Sequence, residues 1–112
     1  MKEKEAVQIV IEYEKKRGRK ARDVSKEKKG YDVESDNRLI EVKLRDFPKR
    51  RFVFLTEKEF QTFLKNKNAW LYIVTKDGKV YEIERDVVLR NTTFRPRWRV
   101  SLKKDVIRKT RV

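Results

Sequence analysis

Between Tyr31 and Leu44, hydrophobic and polar residues alternate with a period of two on both sides of Asp36-Asn37. That pattern predicts a β-hairpin, because a two-residue period sends successive side chains to opposite faces of a strand. On the second strand, Arg38 to Leu44, the side chains of Ile40, Val42 and Leu44 share one face while Glu41 and Lys43 share the other. On the first, Tyr31, Val33 and Ser35 share a face and Asp32 and Glu34 the opposite one. A turn centred on Asp36-Asn37 then sets the register: Ser35 faces Arg38, Val33 faces Ile40 and Asp32 faces Glu41.

This register places two carboxylates across a strand pair, with Cβ atoms about 5 Å apart, which is destabilising unless the charge is neutralised. Lys43 supplies one positive charge on the same face, and a divalent cation between Asp32 and Glu41 would supply the rest. Two carboxylates, a cation acting as Lewis acid and a lysine beside the reacting oxygens suit phosphodiester hydrolysis. The alternative, a solvated charged face on an ordinary hairpin, stays open at this point. A turn of odd length would shift the pairing by one residue and undo the juxtaposition.

The 112 residues contain neither cysteine nor histidine. Thiol catalysis, disulfides, Cys/His zinc sites and histidine general bases are thereby excluded, and a metal would need oxygen ligands, which favours Mg2+ or Mn2+. The net charge is +14, and it is uneven: +5 over residues 1–30, zero over 31–60, +2 over 61–90 and +7 over 91–112. Two basic ends around a neutral block fit a surface for a polyanion, most simply nucleic acid, with an acidic pocket set into it. Enrichment in Lys, Arg and Glu is also the composition of a thermophile protein, which would explain 45% charged residues but not the excess of positive charge. No run of 18 apolar residues occurs, so a membrane span is not expected and a cytoplasmic location is. The length predicts one domain over 1–112, with residues 91–112 as a basic extension.

Apolar residues at Ala6, Val7, Ile9, Val10, Ile11 and Tyr13 predict a helix over Lys4 to Arg17, stopped by Gly18. Short strands are expected at Arg22 to Ser25 and at Arg51 to Leu55. Thr56 with Glu59 three residues on reads as a capping box opening a second helix. Ala69 to Thr75 and Lys79 to Ile83 flank Asp77-Gly78, a type I′ hairpin signal. The tail from Thr93 to Leu102 alternates again. The expected architecture is α/β (α+β): one central mixed sheet flanked by helices, in the order α-β-β-β-α-β-β.

Asp32 followed by Glu41-Val42-Lys43 resembles the PD-(D/E)XK nuclease superfamily. The chain is more closely similar to the domain of unknown function at the C-terminus of the plant protein NO VEIN, which also occurs as short stand-alone chains. The residues carrying the resemblance are Tyr13-Glu14, Gly18-Arg19, Val24-Ser25, Gly30-Tyr31-Asp32-Val33 with Ser35, Ile40-Glu41-Val42-Lys43, Leu55-Thr56 with Glu59, and Leu71-Tyr72-Ile73-Val74. They extend to about Ile83. The resemblance implies a restriction endonuclease-like core, with Asp32, Glu41 and Lys43 as catalytic residues and Asp32, Glu41 and the Val42 carbonyl as ligands of Mg2+ or Mn2+. The superfamily often adds a glutamate from the first helix. The position where related Holliday junction resolvases place it falls near Val7, leaving Glu5, Glu12 and Glu14 as substitutes, of which Glu14 belongs to the family pattern.

Two basic clusters are candidate nucleic-acid contacts. Arg95, Arg97 and Arg99 share one face of an extended segment, suited to tracking phosphates or to protecting an edge strand. Lys15, Lys16, Arg17, Arg19 and Lys20 gather at the end of the first helix, where cations also favour the helix dipole. Trp70 and Trp98 are expected in the core. The leading functional expectation is a metal-dependent nuclease acting on DNA, paired as a homodimer to span two strands. The alternatives are a nucleic-acid-binding module that keeps the fold without turnover, and a protein-interaction module.

Overall fold

In a computed structural model, residues 1–94, 97–104 and 106 are described. The first helix, α1 (Glu3–Lys16), buries Ala6, Val7, Val10, Ile11 and Glu14, the i, i+4 stripe its sequence pattern predicts. It ends where Gly18 adopts φ +79°, a left-handed value that costs glycine little. The Gly18 and Arg19 amides donate back to the Lys15 and Glu14 carbonyls, a Schellman motif.

Strands β1 (Ala21–Asp23), β2 (Val33–Ser35) and β3 (Arg38–Leu44) follow. The β2–β3 register is the predicted one, with Val33 opposite Ile40 and Ser35 opposite Arg38. Asp36 takes φ +50° in the two-residue turn, a conformation that Asp tolerates better than most residues. After β4 (Phe52–Leu55), α2 (Glu57–Lys65) opens with the expected capping box between Thr56 and Glu59. β5 (Ala69–Val74) and β6 (Val80–Glu84) form the next hairpin. The chain then adds α3 (Arg85–Arg90), β7 (Thr92–Phe94) and β8 (Trp98–Ser101).

Three expectations need correction. The strands form two sheets: a five-stranded one in the order β1-β2-β3-β5-β6, and a three-stranded one in the order β4-β8-β7. β4 therefore leaves the central sheet, because β5 takes the edge of β3 in parallel register and β4 finds β8 instead. The Asp77-Gly78 connection is not a two-residue type I′ turn. Gly78 alone is left-handed at φ +83°, and Thr75 closes the loop with Gly78 and Lys79, giving a three-residue connection. The α3 helix was not expected; its six residues are too few for a clear helical period.

The central sheet is covered on both faces. On one, α1 packs over Val33, Ile40, Val42, Tyr72, Val74 and Val80. On the other, α2, α3 and the small sheet enclose Leu71, Ile73, Tyr81 and Ile83 with Val53, Leu55, Phe63 and Val100. Trp98 stacks on Phe60 at 3.9 Å and Trp70 meets Tyr72 edge-on, so both indoles serve packing as expected. Among the described residues no helix is long and apolar enough to cross a membrane.

Candidate functional site

The mixed character of the central sheet creates the site. β2 pairs with β3 only as far as Val33 opposite Ile40, so β3 runs on from Glu41 with its outer edge uncovered. Asp32, one residue before β2, sits across that edge: its amide donates to the Ile40 carbonyl, and its carboxylate accepts the Val42 amide at 2.9 Å. A strand residue's N–H and C=O point to the same side. The Val42 carbonyl is therefore directed toward the Asp32 edge.

The edge opens into a cleft of about 470 Å³ whose lining includes Asp32, Glu41, Val42, Lys43, Val7 and Lys26. Glu41 is buried, and burial followed by the Asp32 charge pushes its carboxyl well above the ordinary range, against the pull of Lys43. Burial also raises Asp32, although its hydrogen bonds with the Val42 amide and Glu41 act against the rise. Lys43 reaches Glu41 at 3.3 Å and Glu59 at 3.1 Å. Burial alone would lower its pKa, yet these two acids keep it raised and charged.

The sequence marks Glu59 as a cap and as part of the family pattern, without a role at the cleft. Its Oε1 accepts the Thr56 amide at 2.9 Å and also the Lys43 ammonium, so the N-terminus of α2 is tied to the cleft through the capping box. Burial opposes ionisation of Glu59, but Lys43 and the Thr56 amide outweigh it and hold the carboxyl below its usual range. The signals that mark Glu59 in the sequence are its place in the family pattern and the cap, which fixes where its side chain emerges.

Glu14 is not at the cleft. It lies seven residues beyond Val7 on α1, about two helical turns or 10 Å along the axis. Wholly buried, its carboxylate accepts Arg19 at 2.9 Å and the Tyr72 hydroxyl at 2.9 Å. Val7 of α1 does line the cleft but has no atom able to ligate a cation; beside it on the same helix, Glu3 and Lys4 also line the cleft, with Glu3 paired to Arg45 at 3.1 Å. Of the helix-end cations, Lys15, Lys16 and Lys20 are exposed, Arg17 lies over the Tyr13 ring, and Arg19 is committed to Glu14. Arg97 and Arg99 lie on the small sheet over Phe54 and Phe52, while Arg95 falls outside the described residues.

The donor set is hard oxygen: two carboxylates in mutual contact and one carbonyl. Among the described residues no group of three or more His, Cys, Asp or Glu side chains is arranged to hold a metal ion. Two carboxylates, completed by water and substrate phosphate, fit the way Mg2+ is usually held.

A family model described as protein NO VEIN, C-terminal, matches residues 2–85, three quarters of the chain. The chain belongs to this family. The match contains the whole cleft and stops at the start of α3, so β7 and β8 lie outside it. No curated protein matches the chain by sequence. Among solved structures, the chain is similar to Archaeoglobus fulgidus Hjc, a Holliday junction resolvase from an archaeal hyperthermophile, with a TM-score of 0.63 and 14% identity over 92% of this chain and 88% of that one. At that identity the likeness establishes the fold, which is the restriction endonuclease-like fold of PD-(D/E)XK nucleases.

Proposed function

We propose that this member of the NO VEIN C-terminal family is a metal-dependent nuclease that hydrolyses phosphodiester bonds in DNA. The observation that carries the reading is the convergence of Asp32, Glu41 and Lys43 on the uncovered edge of β3, with Asp32 fixed by the Val42 amide. Asp32, Glu41 and the Val42 carbonyl would hold Mg2+ or Mn2+, which supplies Lewis-acid activation of the phosphodiester when bound. The protein's own part is to position. Lys43, held between Glu41 and Glu59, presents an ammonium to the anionic oxygens of the substrate, and Lys4 and Lys26 on the cleft wall favour approach of phosphate. Binding of a cation would also relieve the repulsion between Asp32 and Glu41, which together with burial raises the Glu41 pKa. A homodimer would let two such clefts address two strands, and a cytoplasmic location accords with this role.

Purified protein is assayed with Mg2+ or Mn2+ on duplex, single-stranded and branched DNA, with Asp32→Ala and Lys43→Ala as controls. Cleavage by the wild type that both variants lose is the expected result. Absence of cleavage on every substrate refutes the enzyme reading. One observation favours the second reading, a nucleic-acid-binding module without turnover: Val7 stands where the superfamily often has a glutamate, and the two further acids lining the cleft are engaged elsewhere, Glu3 with Arg45 and Asp23 with Ser25. That reading predicts DNA binding that falls steeply with salt and is indifferent to chelator and to Asp32→Ala.

A further inference from the structure

We propose that the outer face of the β4-β8-β7 sheet binds single-stranded nucleic acid, at a surface separate from the carboxylate cleft and independent of cleavage. Along β4 and β8 the residues Val53, Leu55 and Val100 turn inward and are buried. The alternation therefore sends Phe52, Phe54 and Arg99 to the other face, where Phe54 and Arg99 are direct partners across the strands. In a chain with only 38% hydrophobic residues, two phenylalanines are spent outside the core. Their rings meet edge-on at 5.6 Å. Guanidiniums gather over them: Arg97 at 3.7 Å from the Phe54 ring, and Arg99 and Arg50 at 5.5 and 5.9 Å from the Phe52 ring.

Beside the rings lies a groove of about 520 Å³ lined by Arg51, Arg90, Arg99 and Lys103 with Asn91, Thr93 and Ser101, and by no acidic residue among those described. Among the described arginines elsewhere, Arg19, Arg22, Arg38, Arg45 and Arg85 are paired with carboxylates, while Arg17 lies over the Tyr13 ring. Among the described residues, none of Arg50, Arg51, Arg90, Arg97, Arg99 and Lys103 forms a salt bridge. The Arg99 Nε is buried without a hydrogen-bond partner.

Uncompensated guanidiniums attract any polyanion, so the aromatic rings decide which one. Bases in a duplex stack on one another and offer only their edges, whereas a single strand has free base faces for Phe52 and Phe54 while its phosphates follow the arginines. An acidic peptide would satisfy the charges and leave the rings unused. The surface also uses β7 and β8, which lie beyond the family match, whereas the carboxylate cleft lies within it.

The test is fluorescence anisotropy of the full chain in EDTA with a labelled oligothymidylate, a hairpin duplex of equal length and a polyglutamate peptide. Phe52→Leu should weaken oligothymidylate binding about tenfold and leave duplex binding unchanged. Arg51→Glu with Arg90→Glu, both at exposed positions, should weaken it further and reduce the salt slope by about 1.4. Should Phe52→Leu destabilise the fold, the charge-reversed variant carries the test. Asp32→Ala should bind like the wild type, so loss of cleavage and loss of this site are read apart. The proposal is overturned if neither surface variant alters oligothymidylate affinity, if duplex affinity falls equally, or if polyglutamate binds as tightly.

Discussion

Among the described residues, Lys43 is the cation that pairs with Glu41 and Glu59, and replacing it by Met removes that charge. The lysine side chain is 12% exposed, between Glu41 and Glu59 at 3.3 and 3.1 Å. With an effective dielectric constant near 20, a unit charge pair at that separation is worth about 5 kcal/mol, and recovery of the lysine's desolvation cost brings the net loss to about 3 kcal/mol. The variant leaves Asp32, Glu41 and Glu59 close together without the ammonium that lies between Glu41 and Glu59. For a chain of 112 residues, 3 kcal/mol lowers Tm by about 13 °C. The assay is thermal and urea unfolding followed by circular dichroism at pH 7 in EDTA. The double variant Lys43→Met with Glu59→Gln removes one negative charge while glutamine keeps the acceptor for the Thr56 amide, and should recover at least half of the loss. A Lys43→Met loss below about 1 kcal/mol, the range of an exposed ion pair, or a double variant no more stable than the single one, refutes the charge balance argued for the cleft.

Thr56→Ala breaks one half of the α2 capping box and should cost about 1 kcal/mol, or about 4 °C in Tm, and more than Thr93→Ala on the exposed small sheet. Gly30→Ala should be among the most destabilising single-methyl additions: at φ +88° its Cβ would meet Thr62 Oγ1 at 2.6 Å and the Lys58 carbonyl at 2.9 Å, and a Tm within 2 °C of the wild type would contradict that contact. Burial alone would raise the pKa of Glu82, but hydrogen bonds from Tyr13, Arg38 and Tyr72 outweigh it and leave the carboxyl below its ordinary value. A lowered native pKa gives stability that is present above the unfolded value, about 4.3, and lost as pH falls through the folded one. The stability gap between wild type and Glu82→Gln should therefore be constant from about pH 8 to 6 and shrink below about pH 4.5; a gap unchanged to strong acid would refute it.

The hairpin was legible residue by residue. A two-residue turn and a two-residue side-chain period are local constraints, so the pairing of Val33 with Ile40, and hence the approach of Asp32 to Glu41, follows from Tyr31 to Leu44 alone. The stop at Gly18 and the cap at Thr56 were equally local, each resting on hydrogen bonds within a few residues. Glu14 shows the limit of such reading. The family pattern includes it, but whether it faces the cleft depends on how far along α1 the uncovered edge of β3 falls, and the helix sets that distance at two turns.

The departure of β4 from the central sheet was decided by a competition among distant strands: β3 has two edges, and β2 and β5 occupy them. Glu59 acquired its second partner only because α2 packs with its N-terminus against the Glu41 and Lys43 face. The amino-acid sequence by itself determined that Asp32 is brought near Glu41, although the strand pairing ends one residue short of them, and that only oxygen could ligate a metal, since these follow from composition and short-range geometry. Only the tertiary structure decided which other groups complete the cleft and which arginines are left unpaired on the small sheet, because those contacts join residues far apart in the chain.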